Sequence, residues 1–304
     1  MNASTLAGAS LSREQSKVGF LTDATICIGC KACEVACKQW NRLPADTDSD
    51  HFFLTGNSYD NTVDLGAKTW RHVAFVEKET TAGVAWLMLS DVCKHCIHAG
   101  CLDACPTGAI VRTEFGTVLI QDDVCNGCGY CVPACPFGVP QIDHHDGGSH
   151  KCTLCYDRLR GGLMPACATA CPTGSIRFGE RDDLLASGRA RVETLRAQGA
   201  DATLYGDEEL GGTGGIAGLQ ALFVLNAPPE AFNLPPRPRL PRRNIKPAAL
   251  ATLAAASMFL VFAAVLHLFG GETNSGLATL VVSVPAGLSF LLLVFALADT
   301  SFIQ

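Results

Sequence analysis

All sixteen cysteines of this 304-residue chain fall into four groups of four. The first group is Cys27, Cys30, Cys33 and Cys37, and the third is Cys125, Cys128, Cys131 and Cys135; both follow C-x2-C-x2-C-x3-C. The second, Cys93, Cys96, Cys101 and Cys105, widens the middle gap to four residues. The fourth, Cys152, Cys155, Cys167 and Cys171, widens it to eleven. A motif recurring four times is an internal repeat, and it obliges the chain from about Phe20 to Phe178 to build loops that gather thiols.

Three chemistries use cysteine this densely, and spacing chooses between them. Disulfides are disfavoured, because cysteines three apart on tight loops bridge poorly and none lies outside a group. Zinc ribbons also pair C-x2-C elements, but they close with four ligands and have no use for a C-x3-C-P arm. That arm is present here in three groups, where Pro106, Pro136 and Pro172 follow the fourth cysteine; Lys38 takes the place in the first. Four-iron clusters fit: three cysteines on a tight loop meet three irons of a cube, while the fourth ligates the neighbouring cluster. That fourth cysteine is expected at the start of a helix. Gly29, Ala32, Gly127 and Gly129 leave room for backbone N–H groups to approach the sulfurs, where hydrogen bonds help to set the reduction potential. Lys31, Lys94 and Lys151 lie beside cysteines and either offset cluster charge or are solvated next to a loop. Tyr130 and Tyr156 are expected to pack against clusters and exclude water, and Asp91, Asp122 and Asp123 to serve turns or caps.

Around this ladder the chain divides into a polar arm over 1–19, a four-cluster domain over 20–180, a helix–strand–linker region over 181–247 and an apolar end over 248–298. The arm lacks the basic start and apolar run of an export signal, so an exported domain would depend on a partner's signal. The insertion at 42–90 is too long for a simple connection. Within it, TWRHVAFVEKE and GVAWLMLSD are rich in aromatic and β-branched residues and predict a β-hairpin that covers clusters or meets a partner. RDDLLASGRARVETLRAQG predicts an amphipathic helix, and LQALFVLN a strand. The following Pro- and Arg-rich segment reads as an extended linker.

Residues 248–269 and 277–297 are uncharged and apolar over the length a membrane helix requires. Two buried helices of a soluble bundle are the alternative, but runs apolar on every face, without a polar stripe, fit lipid better, so both are expected to span a bilayer. Arg237, Arg239, Arg242, Arg243 and Lys246 precede the first span, and only Glu272 is charged between the two. By the positive-inside rule this pattern favours a cytoplasmic iron–sulfur domain. His267 near the end of the first span is expected at the interface, with haem ligation or quinone contact as the alternative.

The net charge of -6 carries no basic footprint for nucleic acid. There is no nucleophile elbow and no phosphate loop after a strand, so the chain itself is expected to catalyse no substrate chemistry. Four clusters make a wire, which needs a donor at one end and an acceptor at the other.

FLTDATICIGCKACEVACKQWN, TWRHVAFVE, LSDVCKHCIHAGCLDACPTGAIVRTEFGTVLIQDDVCNGCGYCVPACPFGVP and KCTLCYDRL resemble the iron–sulfur beta subunit of membrane-bound respiratory formate dehydrogenases, among the four-cluster ferredoxin-like subunits that serve molybdopterin oxidoreductases. The resemblance covers roughly residues 18–240 and the C-terminal anchor. It implies an α+β fold of two ferredoxin-like dicluster halves with the inserted hairpin, followed by C-terminal transmembrane helices. It also implies cross-paired ligand sets: Cys27, Cys30, Cys33 with Cys171; Cys152, Cys155, Cys167 with Cys37; Cys93, Cys96, Cys101 with Cys135; and Cys125, Cys128, Cys131 with Cys105. The implied partners are a molybdenum or tungsten pterin catalytic subunit and a cytochrome b-type or other quinone-reactive membrane subunit. Polysulfide-type molybdopterin reductases and membrane-bound hydrogenases use a similar wire and stand as the alternative. Family members have one C-terminal span where two are read here, and members exported with a signal-bearing partner allow a periplasmic domain.

Overall fold

The structure, a computed structural model, describes residues 17–45, 60, 64–80, 83–207, 216–241, 251–259 and 262–263. The chain forms two compact units, Met1–Leu240 and Pro241–Gln304. In the first, β1 (Val18–Asp23) leads into the first cysteine loop and α1 (Ala32–Asn41), and the insertion contributes β2 (Arg71–Thr80) and β3 (Gly83–Val92). The second and third cysteine groups supply α2 (Gly100–Ala104), β4 (Ile110–Arg112), β5 (Val118–Ile120), α3 (Cys131–Ala134), β6 (Gln141–Ile142) and β7 (Ser149–His150). The fourth gives α4 (Tyr156–Arg160) and α5 (Ala166–Thr169), followed by β8 (Ile176–Glu180), α6 (Arg181–Ala197), β9 (Thr203–Tyr205) and β10 (Ala221–Leu225).

A four-stranded sheet in the order β8-β1-β10-β9 backs the cysteine loops. Every residue of β1 and β10 is buried, so neither strand shows the polar alternation of a half-exposed sheet. Leu21, Leu222 and Val224 join Leu184, Leu185, Val192 and Leu195 of α6 in one core. Phe20, Ala221, Phe223 and Leu225 belong instead to a larger core that includes Cys33, Cys93, Cys152 and Cys167. The two faces of one sheet thus hold the amphipathic helix and the cysteine body apart. At the centre β1 and β10 pair in parallel, Phe20 with Ala221 through Asp23 with Val224. A Cβ on Gly19 would stand 1.9 Å from the carbonyl oxygen of Gln220, so only glycine permits this approach. The sheet therefore takes strands from both sides of residue 180, and the strand expected in LQALFVLN, β10, lies inside it between β1 and β9.

The hairpin expected in the insertion is present, with β2 and β3 in register from Arg71 opposite Val92 to Thr80 opposite Gly83. Val73 and Leu89 are buried, whereas Val84 and Trp86 farther along are 68% and 50% exposed. The α6 helix is also as expected: Leu184, Leu185, Gly188, Val192 and Leu195 form its buried stripe. Arg191 on this helix donates to Asp23 at 2.9 Å and so ties it to the entrance of the first cysteine loop.

In the second unit, residues 251–259 are helical, with Leu253 67% and Met258 71% exposed. No helix among the described residues is long and apolar enough to cross a membrane. The expected span at 248–269 is only partly within the described residues; the span at 277–297 and His267 lie outside them.

Candidate metal centre

Each C-x2-C element turns sharply because its third residue adopts positive φ: Gly29 (65°), Gly127 (68°), His95 (43°) and Leu154 (57°). Glycine accepts this region freely, but His95 and Leu154 are held there against a cost of about 1–2 kcal/mol each. Strain of this kind survives where surrounding packing enforces it. Both side chains are almost fully buried, and the His95 Nδ1 accepts the Val118 N–H at 3.1 Å. Burial, with the nearby charges of Lys151 and Arg112, holds the His95 imidazole well below its ordinary pKa.

The third cysteine of each group, not the fourth, lies at the start of a helix: Cys33 in α1, Cys101 in α2, Cys131 in α3 and Cys167 in α5. The fourth comes four residues on, about one turn away. Cys105 and Cys135 close α2 and α3, and Cys171 lies just past α5, because the proline that follows each cannot continue the helix. In the first group Lys38 replaces proline, so α1 runs on to Asn41, whose amide donates to the Cys37 sulfur at 3.6 Å.

The thiols that come together belong to different groups. Cys27, Cys30, Cys33 and Cys171 line one pocket, and Cys105, Cys125, Cys128 and Cys131 line another. The remaining thiols act on one another electrostatically, again across groups. Cys37 is pushed up to about 12 by burial and by the charges of Cys167 and Cys155. Cys152 is raised well above the ordinary thiol value by burial, with Cys37, Cys155 and Cys167 among its charged neighbours. Burial raises Cys96 in the same way, and Cys135, Cys93 and Cys101 act on it. All sixteen cysteines are free of disulfides.

Hydrogen-bond donors surround these sulfurs. Burial opposes ionisation of Cys105 and Cys171, but bonds from the surroundings outweigh it and hold both thiols below their ordinary pKa. The donors correspond between the two CPTG turns: Thr107 with the N–H groups of Ile110 and Ala109, and Thr173 with those of Ile176 and Ser175. A second repeated device is a serine hydroxyl on the third cysteine, Ser90 on Cys33 at 3.2 Å and Ser149 on Cys131 at 3.1 Å. Each serine stands three residues before the next cysteine group, in SDVC and SHKC, a regularity of the sequence that the spacing of the cysteines alone does not expose.

Buried cations complete the surroundings. Lys94 and Lys151 are 1% and 2% exposed, which rules out the solvated alternative for both. Lys94 acts on Cys96 and Cys135, and Lys151 on Cys101. Carboxylates answer the charge of two of the lysines, Glu34 at 3.3 Å and Asp60 at 3.2 Å beside Lys31 and Asp91 beside Lys94, whereas Lys151 donates to the carbonyls of Val118 and Cys152. Arg71 was not singled out by sequence, yet it is fully buried, and Cys167, Cys33, Cys152 and Cys37 all act on it. Tyr130 is 62% exposed and so does not shield a site, while the Tyr156 hydroxyl donates to Glu114 at 3.2 Å.

Among the described residues no three His, Cys, Asp or Glu side chains converge closely enough to share one ion. A four-iron cube asks something else, a separate iron for each thiolate with N–H and O–H donors turned on the sulfurs. The residues present fit that group.

Residues 84–181 match the family model of the 4Fe-4S dicluster domain. The chain is an electron-transfer protein that carries 4Fe-4S clusters on a mixed α/β, ferredoxin-like dicluster domain. It is 39% identical over 267 residues to the iron–sulfur subunit of the nitrate-inducible formate dehydrogenase of Escherichia coli, covering 86% of this chain and 87% of that one. It is 41% identical over 229 residues to the formate dehydrogenase iron–sulfur subunit of Haemophilus influenzae, covering 74% and 70%. The hydrogenase-2 operon protein HybA of Escherichia coli is 29% identical over 245 residues, covering 72% and 73%. The chain belongs to the family of formate dehydrogenase iron–sulfur subunits.

Proposed function

We propose that four 4Fe-4S clusters sit on the cross-paired sets Cys27/Cys30/Cys33/Cys171, Cys37/Cys152/Cys155/Cys167, Cys93/Cys96/Cys101/Cys135 and Cys105/Cys125/Cys128/Cys131. In this reading they conduct electrons from a molybdopterin formate dehydrogenase subunit to a quinone-reactive membrane subunit. The observation that carries the reading is that thiols distant in sequence line common pockets, Cys171 with Cys27, Cys30 and Cys33, and Cys105 with Cys125, Cys128 and Cys131. Neighbours between sets support a line: Cys33 with Cys167, Cys152 with Cys93, and Cys101 with Cys131. Only Cys30 and Cys128 are exposed, one in each outermost set, which suits entry and exit of electrons at the two ends.

When bound, each cluster supplies a one-electron carrier whose potential is set by its charge surroundings and hydrogen bonds. The chain's own part is to keep the carriers at fixed places, keep water from the inner sets and turn donors on the sulfurs. Anchoring to the cell membrane through the C-terminal segment belongs to the same proposal, supported by the exposed apolar side chains of residues 251–259 and the uncharged runs around them.

The complex isolated from its native membrane tests the reading. Copurification of a molybdenum or tungsten protein with formate-dependent dye reduction is expected, with on the order of sixteen irons on this chain. Nickel and hydrogen uptake in place of formate oxidation would favour the hydrogenase alternative, towards which the 29% relative points.

A further inference from the structure

The root of the β-hairpin places one charge where it acts on two ligand sets. Arg71 opens β2, and Ser90 lies opposite Val73 on β3. The Arg71 guanidinium stacks 4.9 Å from the Phe20 ring centre, and its Nη1 donates to the Ser90 Oγ at 2.8 Å. That bond occupies the hydroxyl as an acceptor and leaves its proton for the Cys33 sulfur at 3.2 Å. The Arg71 Nε and Nη2 are buried and reach no hydrogen-bond partner among the described residues. A buried guanidinium with idle donors is costly unless an anion faces it. The thiolates that act on this one are Cys33 of one set and Cys167, Cys152 and Cys37 of the next.

We propose that Arg71 and Ser90 act as a positioning pair that raises the reduction potentials of the two clusters held by Cys27/Cys30/Cys33/Cys171 and Cys37/Cys152/Cys155/Cys167. The cation stabilises the reduced, more negative state of both, and in a poorly screened interior its influence extends beyond contact. The hydroxyl acts on one alone, through Cys33. Ser149 makes the equivalent contact to Cys131 in the other half, so it acts on a cluster that Arg71 does not reach.

The inference rests on the ligand assignment proposed above, and the test separates the two. The full chain is isolated without oxygen, its iron is counted, and each cluster is titrated by EPR against potential. Arg71→Gln is expected to lower two of the four midpoints, and Ser90→Ala to lower one of those same two. Arg71→Lys should restore most of the shift, because it returns the charge. Ser149→Ala should lower a third midpoint that the other variants leave in place. Iron well short of four clusters in the wild-type chain would overturn the ligand assignment. Full iron with unmoved midpoints in Ser90→Ala and Arg71→Lys indistinguishable from Arg71→Gln would overturn the tuning and leave the assignment standing. Should Arg71→Gln not accumulate, Ser90→Ala decides: an unchanged set of midpoints sinks the pair.

Discussion

Replacing Cys171 by alanine should empty the site lined by Cys27, Cys30 and Cys33, although its neighbours in sequence are Cys167 and Cys155. The expected loss is about a quarter of the iron and one EPR signal, with the signal that depends on Cys167 retained. Loss of the Cys167-dependent signal instead would show that the groups do not cross. Glycine positions make a second contrast at this scale. Gly127 and Gly129 both have positive φ, but a Cβ on Gly127 would stand 1.9 Å from the Gly147 carbonyl oxygen, while nothing lies within 4 Å of one on Gly129. Gly129→Ala is therefore expected to cost about 1–2 kcal/mol from the backbone alone. Gly127→Ala should cost clearly more and lower the melting temperature further; equal melting temperatures would contradict the packing described. The four cysteine groups were legible at this scale because their spacing repeats along the chain. Arg71 was not, since a single arginine in a β-branched run looks like an outward-facing residue until the pairing of Val73 with Ser90 reveals what surrounds it. His95 and Leu154 hide a left-handed turn for a similar reason: they hold the place that glycine takes in the other two groups, and only the repeat frame marks it.

Elements with a local signal were readable, and those defined by distant pairing were not. The hairpin announces itself through two alternating runs about a short turn, and α6 through its apolar stripe. The pairing of β1 with β10 joins residues some two hundred positions apart, and no local pattern encodes it. A run such as ALFVL, buried on both faces, is equally compatible with a strand leaving the domain and with one at its centre. Two variants test that central placement. Leu222→Ala removes a fully buried side chain from the core shared with α6 and is expected to cost about 2–5 kcal/mol, seen as a lower denaturation midpoint. Because this core lies on the side of the sheet away from the cysteine body, the cluster EPR spectrum should be preserved at moderate temperature. Gly19→Ala should be worse, because its methyl group would meet backbone rather than a side chain that can turn aside. Wild-type stability in Gly19→Ala would show that β1 and β10 do not approach as described.

At the scale of the whole chain, an electron carrier is useful only if its ends are near its partners, and the proposed anchor would supply that placement from the second of the two compact units. The first, Met1–Leu240, holds all sixteen cysteines together with the sheet and helix that support them. The second, Pro241–Gln304, contains no cysteine, and its described residues show apolar side chains on the surface, an arrangement that water disfavours and lipid tolerates. Since the cysteine loops draw their packing from β1 and β10, both within the first unit, cluster retention and membrane attachment should be separable. A chain ending at Leu240 is accordingly expected to keep its iron and its visible absorbance. It should be recovered from the soluble fraction, while the full chain remains with membranes through an alkaline wash. If the shortened chain stayed on the membranes without any partner subunit, the anchor would have to lie in the first unit. If it lost its clusters, the second unit would be supporting the ligand loops, contrary to the packing of the sheet.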